Sequence, residues 1–203
     1  MSGTIHLNNN KNSNSTNTSF YGSFSLPKKH NHIVFFFKKF QLIYNDPRRF
    51  GFIKIINSKK SLEIFFNRVG PEPLDNKFKI NYICDYFKGK KKCIKSFLLD
   101  QKFVSGIGNI YASEILFESK INPKKKSGDL SDYEMQNIVK YSKIVLNNSI
   151  KKGGSSIRNF VNTSGNYGGF QKYFKVYDRE NKNCLRKNCK GKIIKRFISN
   201  RSY

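Results

Sequence analysis

A chain of 203 residues has room for one domain or two small ones. Its 39 Lys and Arg against 13 Asp and Glu give a formal net charge of +26, which repels itself in a compact fold and calls for a polyanion, nucleic acid above all. No apolar run approaches the ~20 residues of a membrane span, and the N-terminus is too polar for a cleavable signal, so a cytoplasmic protein without a membrane partner is expected.

In chain order, Met1–Leu7 is short and mildly apolar, and Asn8–Ser19 is almost wholly Asn, Ser, Thr and Lys. Such a composition buries too little to order itself, which predicts an extended loop. Phe20–Leu26, Ile33–Phe37, Phe40–Tyr44 and Phe52–Ile56 read as strands, the middle two as a hairpin. Asn45-Asp46-Pro47 is a turn signal ahead of Arg48-Arg49-Phe50-Gly51. Ser61–Phe66 fits a strand or a short helix, and Gly70–Leu74, with its two prolines, marks a domain boundary.

Ile80–Phe87 and Ile94–Asp100 read as helices joined by the basic linker Lys88–Lys92. Leu98–Pro123 is the organising stretch. An apolar opening runs into Gly106-Ile107-Gly108, and a helical period follows at Ile110, Ala112, Ile115 and Leu116. Glycines at a helix entrance let backbone N–H groups approach an anion, and the helix terminus adds partial positive charge. Asn109 stands at the junction, where its amide reaches a phosphate oxygen. Tyr111 occupies the third glycine position of the dinucleotide fingerprint and excludes that reading.

Asn122-Pro123 stops this helix, and Ser131-x-x-Glu134 is a capping-box pattern opening a long helix that Gly153-Gly154 ends. Ser155–Phe160 reads as a further helical piece, Ser164–Gly169 as a glycine-rich loop, and Phe174–Tyr177 as the start of a strand. Cys184–Tyr203 is a small basic module. Of the four cysteines (Cys84, Cys93, Cys184 and Cys189), the closer pair Cys184/Cys189 suits an intracellular metal clip or a pair of incidental thiols better than a disulfide framework.

Together the blocks KHNH (Lys29–His32), DPRRFG (Asp46–Gly51), GPEPL (Gly70–Leu74), IKSFLLDQ (Ile94–Gln101), GIGNIYASE (Gly106–Glu114), GGSSIRNFV (Gly153–Val161) and VYDRE (Val176–Glu180) resemble the formamidopyrimidine-DNA glycosylases. The GPEPL block favours that family over the related endonuclease VIII branch. The resemblance implies an α+β chain: the C-terminal part of a β-sandwich over residues 1–75, a helix–two-turn–helix domain over 76–172, and an incomplete zinc finger over 173–203. It implies a monomer that holds damaged double-stranded DNA in a cleft between domains and works in base-excision repair. The activity would be excision of 8-oxoguanine and formamidopyrimidines, with AP lyase strand cleavage.

By the same resemblance, Met1, Arg48 and Phe50 match side chains that fill the gap left by a flipped nucleotide. His30, Arg49 and Lys90 match further DNA contacts, and Asn109 a phosphate ligand. Arg201 matches the zinc-finger tip arginine, which touches lesion phosphates and assists elimination. Without that context, Arg48-Arg49-Phe50 is a solvated basic turn with a core aromatic, and Lys90 one member of a solvated lysine run.

Two departures shape the expectation. The family's N-terminal Pro-Glu pair, whose proline amine attacks the sugar C1′, has no counterpart in Met1–Ser19, so the nucleophile is absent and the chain reads as truncated at both ends. Cys184 and Cys189 supply two of the four ligands that structural zinc needs. The expectation is therefore a repair glycosylase lineage, with a catalytically inactive DNA-binding remnant as the alternative. A basic RNA-binding protein is a second alternative, which explains the charge but not the ordered blocks.

Overall fold

The structure is a computed structural model, described here for residues 3–9, 13–16, 28–155, 168–198 and 201–203. The fold is α+β, with two compact units: Met1–Ile55 with Ser149–Tyr173, and Ile56–Asn148 with Phe174–Tyr203.

The first unit is built on an antiparallel four-stranded sheet of order β2-β1-β4-β3, with β1 Thr4–Asn9, β2 Ser13–Thr16, β3 Asn31–Phe36 and β4 Phe40–Asn45. The β3–β4 hairpin forms where its two apolar runs put it, but Phe35, Phe36 and Phe37, which the run suggested were buried, are exposed. Its turn closes with Phe37 N–H donating to Phe40 O at 2.9 Å, and the two rings stack at 4.5 Å. The reading of Asn8–Ser19 as a loop is corrected: Asn8 and Asn9 continue β1, and Ser13–Thr16 pair back onto it. These polar residues form strands because Ile5, His6 and Leu7 lie in register with Tyr44, Ile43 and Leu42 of β4. The neighbour imposes the ladder, and residue propensity does not. Phe20–Leu26 lies outside the described residues. Phe52–Ile56, a β-prone stretch read as a strand, belongs to neither sheet among the described residues and is largely exposed.

The second unit is helical. α1 (Lys59–Phe66) resolves the strand-or-helix ambiguity of its sequence, capped by the Ser58 hydroxyl accepting from Ser61 N–H at 3.1 Å. The core lies among α2 (Ile80–Phe87), α3 (Ile94–Leu98), α4 (Asn109–Glu118) and the long α5 (Asp132–Lys151). Phe78, Ile83, Phe87, Leu98, Phe103, Ile115, Leu116 and Ile138 are buried there. Phe103 is the hub, with ring centroids 4.7 Å from Phe87 and 4.8 Å from Tyr86, while its carbonyl accepts the Tyr82 hydroxyl at 2.7 Å.

α5 opens with the capping box its sequence announces. Ser131 N–H donates to Glu134 Oε2 at 2.8 Å, Glu134 N–H donates to Ser131 Oγ at 3.3 Å, and Lys125 Nζ donates to both carboxylate oxygens at 2.7 Å. These contacts together hold the Glu134 carboxyl below its ordinary pKa against the opposing effect of burial. α5 ends as expected at Gly153 and Gly154, both at positive φ, with Gly154 N–H returning to Ser149 O at 2.8 Å. Most of the Ser155–Phe160 helical piece lies outside the described residues. The chain closes in a short hairpin, β5 (Phe197–Ile198) against β6 (Arg201–Ser202).

Candidate nucleic-acid interface

The mouth of α4 is open. Gly106 sits at φ 80, Gly108 occupies the N-cap without a side-chain cap bond, and Asn109 is the first helical residue. Nothing lies within 4 Å of where a Cβ on Gly106 or Gly108 would stand. The first turn thus carries no side-chain cap, and the positive end of the helix dipole lies at it. Asn109 Oδ1 is buried without a hydrogen-bond partner.

Two neighbours to which the sequence reading gave no such role brace this mouth. Gln101 Oε1 accepts Gly106 N–H at 2.8 Å, and its Nε2 donates to Ile107 O at 3.4 Å. The GPEPL segment packs against the same turn: Gly70 N–H donates to Gln101 O at 2.8 Å, and Ser105 N–H to Pro71 O at 3.0 Å. A Cβ on Gly70 would stand 2.3 Å from Phe103 O, so that position admits only glycine at this approach. Lys90 is exposed just after α2, its ammonium 5.9 Å from the Tyr86 ring centroid, within the run of exposed lysines Lys88, Lys90, Lys91 and Lys92.

Two buried charged groups, also missed by sequence reasoning, tie the C-terminal segment to α3 and α4. Lys95 is 0% exposed; its Nζ donates to Ser113 Oγ at 3.0 Å and to Ser202 O at 2.6 Å, and lies 5.4 Å from the Tyr203 ring. Burial pushes its pKa down to about 8; Cys93 opposes that shift and Arg201 adds to it. Arg201, exposed on β6, is thus carried by a strand anchored through its neighbour Ser202. The Glu114 carboxylate accepts three backbone N–H groups, from Lys175 at 2.8 Å, Val176 at 3.0 Å and Tyr177 at 2.8 Å. That explains why Phe174–Tyr177, expected to start a strand, does not: its donors are spent on a carboxylate. The only sequence signals were a lysine inside the apolar run IKSFLL and a glutamate closing GIGNIYASE.

In the first unit, Asp46 organises the DPRRFG loop. Its Oδ1 accepts Arg48 N–H at 3.1 Å, while its Oδ2 accepts Gly51 N–H at 2.8 Å and the Tyr44 hydroxyl at 3.1 Å. Arg48, Arg49 and Phe50 stand outward. Phe50 is 72% exposed with the Arg48 guanidinium 4.4 Å above its ring, so it is no core aromatic. His30, half-buried in a 3-10 turn, accepts Asp46 N–H on its carbonyl at 3.0 Å. Met1 lies outside the described residues.

Cys184 and Cys189 come together in a turn closed by Cys184 N–H donating to Gly191 O at 2.8 Å and Cys189 N–H to Arg186 O at 3.1 Å. The Gly191 backbone N–H, followed by Cys184, holds the Cys189 thiol below its ordinary value. Among the described residues no group of three or more His, Cys, Asp or Glu is arranged to hold a metal. The two thiols are half of a tetrahedral donor set, and the residues described here do not fit a closed zinc site. Also among the described residues, no helix is long and apolar enough to cross a membrane.

The helices α2 to α5, with the uncapped mouth of α4 among them, define a chain of the helix–two-turn–helix class. The pattern of the formamidopyrimidine-DNA glycosylase H2TH domain matches residues 69–161. The formamidopyrimidine-DNA glycosylase of Roseobacter denitrificans is 39% identical over 185 residues, covering 90% of this chain and 65% of that protein. That of Rickettsia africae is 40% identical over 176 residues, covering 86% and 64%. The crystal structure of the Lactococcus lactis FPG mutant G226P in complex with a Fapy-dG containing DNA superimposes with a TM-score of 0.80 at 30% identity, covering 100% of this chain and 69% of that one. The chain belongs to the formamidopyrimidine-DNA glycosylase family. It spans about 65% of the length of the curated relatives it matches.

Proposed function

We propose that this chain binds damaged duplex DNA in the base-excision repair of oxidised purines, the 8-oxoguanine and formamidopyrimidine lesions of its family. The observation that carries the reading is the open, uncapped mouth of α4, with Asn109 at its first position, in a unit that also exposes the lysine run 88–92. There Asn109 and the first-turn N–H groups take a phosphate, and Lys90 adds a second backbone contact. Arg48 and Phe50 supply the wedge that occupies the gap left by an everted nucleotide, with Arg49 and His30 as flanking contacts. Arg201 reaches the lesion phosphates from the anchored hairpin. Solved relatives bound to Fapy-dG and abasic-site DNA support the choice of damaged duplex as partner.

Excision with strand cleavage begins in this family with an amine attacking the sugar carbon. The most deeply buried lysine among the described residues, Lys95, has its Nζ engaged by Ser113 and Ser202, which withholds it from that step. The role assigned to these residues is therefore recognition, with Arg201 suited to the later elimination step. Fluorescence anisotropy with a duplex carrying a tetrahydrofuran abasic analogue and its undamaged match tests the reading. Tighter binding to the damaged duplex is expected, with no borohydride-trapped complex. Equal affinity for damaged duplex, intact duplex and duplex RNA would overturn it.

A further inference from the structure

We infer that Asp46 and Tyr44 form a positioning clamp that holds the Arg48–Phe50 turn ready to enter the DNA stack, without touching DNA themselves. The inference rests on the wedge reading above. A wedge side chain has to press against stacked bases, and unstacking them is unfavourable. A turn free to recoil or reorder would dissipate that push and lose conformational freedom on binding. The DPRRFG turn is not free, and the reason lies beneath it.

Asp46 is 1% exposed, yet its carboxylate reaches across the whole turn, accepting from the N–H groups of Arg48 and Gly51 on either side of the outward residues. Its own backbone is tied three times more, with Asp46 N–H donating to His30 O at 3.0 Å, Arg49 N–H donating to Asp46 O at 3.3 Å and His32 Nε2 lying 2.8 Å from Asp46 O. Between the two anchored ends, Arg49 sits at φ 53, a left-handed conformation unusual for a residue with a Cβ. The backbone bonds on both sides over-determine that conformation, which throws Arg48 and Phe50 outward.

Tyr44 sets the other face of the clamp. Its hydroxyl donates to Asp46 Oδ2, and burial, reinforced by that carboxylate, pushes its pKa up, so it remains a donor throughout the neutral range. A Cβ on Gly51 would stand 1.6 Å from the Tyr44 oxygen, and one on Gly3 would stand 2.4 Å from it. The turn therefore closes onto the tyrosine at a separation only glycine permits. One phenol and one carboxylate fix where the wedge begins and where it ends.

The test uses the full chain and two variants, Asp46→Asn and Tyr44→Phe, with Phe50→Ala as the wedge control. The probes are a duplex with 2-aminopurine beside a tetrahydrofuran site and its undamaged match. The readouts are the 2-aminopurine fluorescence rise, the two dissociation constants, and trypsin cleavage at Arg48 and Arg49. Both clamp variants should lose at least about fivefold more affinity on the damaged than on the undamaged duplex, since phosphate contacts elsewhere act on both alike. Their fluorescence rise should shrink. Trypsin should cut the turn about tenfold faster, because cleavage follows the population of the opened turn. Phe50→Ala should lose the fluorescence rise while keeping wild-type trypsin resistance, which separates clamp from wedge. A fluorescence rise and trypsin resistance both unchanged in Tyr44→Phe would overturn the clamp, even where Asp46→Asn fails to fold. No fluorescence rise in the wild type would overturn the wedge reading itself.

Discussion

The two units place their phenylalanines differently. In the helical unit Phe78, Phe87, Phe97 and Phe103 are buried in one aromatic cluster, and that unit also buries the charged groups Lys95 and Glu114. In the sheet unit Phe35, Phe36 and Phe37 are exposed, Phe36 at 75%, while the fully buried positions at the end of β4 and just beyond it are Asn45 and Asp46. Apolar burial stabilises a fold without direction, whereas a buried carboxylate acts through the donors it holds in place. The difference teaches which unit carries stability and which carries shape. The helical unit is a packed platform for the proposed phosphate grip, and the sheet unit spends the buried Asp46 on holding a turn.

The sharpest way to break this contrast is to make one kind of change in both places. Phe103→Ala removes the hub of the aromatic cluster and should cost about 3–5 kcal/mol in denaturant unfolding, as for other large-to-small core changes. Glu114→Ala comes next. It strands the part-buried N–H groups of Lys175, Val176 and Tyr177, and a loss of about 1–3 kcal/mol is expected. Hydrogen exchange should place that loss first in residues 174–203.

Lys95 sharpens the comparison through pH. Its folded pKa is about 8 against an ordinary 10.5, so between those values the unfolded chain keeps a proton that the folded chain has released. Stability contributed through Lys95 therefore rises with pH across that window, and the penalty of burying its charge is fully present below it. Lys95→Met should flatten the rise of Tm between about pH 7 and 10 relative to wild type, and equal slopes would contradict the assignment. The smallest effect belongs to the sheet unit. Phe36→Ser should change unfolding free energy by no more than about 0.5 kcal/mol while raising solubility.

What the sequence makes legible follows the same divide. Helices α2 to α5 carry their own signals, and the Ser131/Glu134 box and the glycines at 153 and 154 appear where the pattern puts them. The glycine pair before Asn109 likewise identifies the open mouth of α4. Strands β1 and β2 were not legible, because Asn, Ser and Thr become strand there only through the register of β4. Phe52–Ile56 fails in the opposite sense, β-prone residues that join neither sheet among the described residues. Glu114 and Lys95 were hidden for a third reason: their partners are 61 and 107 residues away in the chain, beyond any local pattern.

The central claim is a phosphate grip at the mouth of α4, and salt is its most direct probe. Dissociation constants for the abasic-analogue duplex, measured across a decade of salt for wild type and Asn109→Ala, decide it. Affinity should fall linearly on a log–log plot, by roughly 0.9 log units per decade for each phosphate contacted. Asn109→Ala should bind more weakly to damaged and intact duplex alike and lose about one phosphate's worth of slope. An affinity indifferent to salt, or an Asn109→Ala line lying on the wild-type line, would contradict the account.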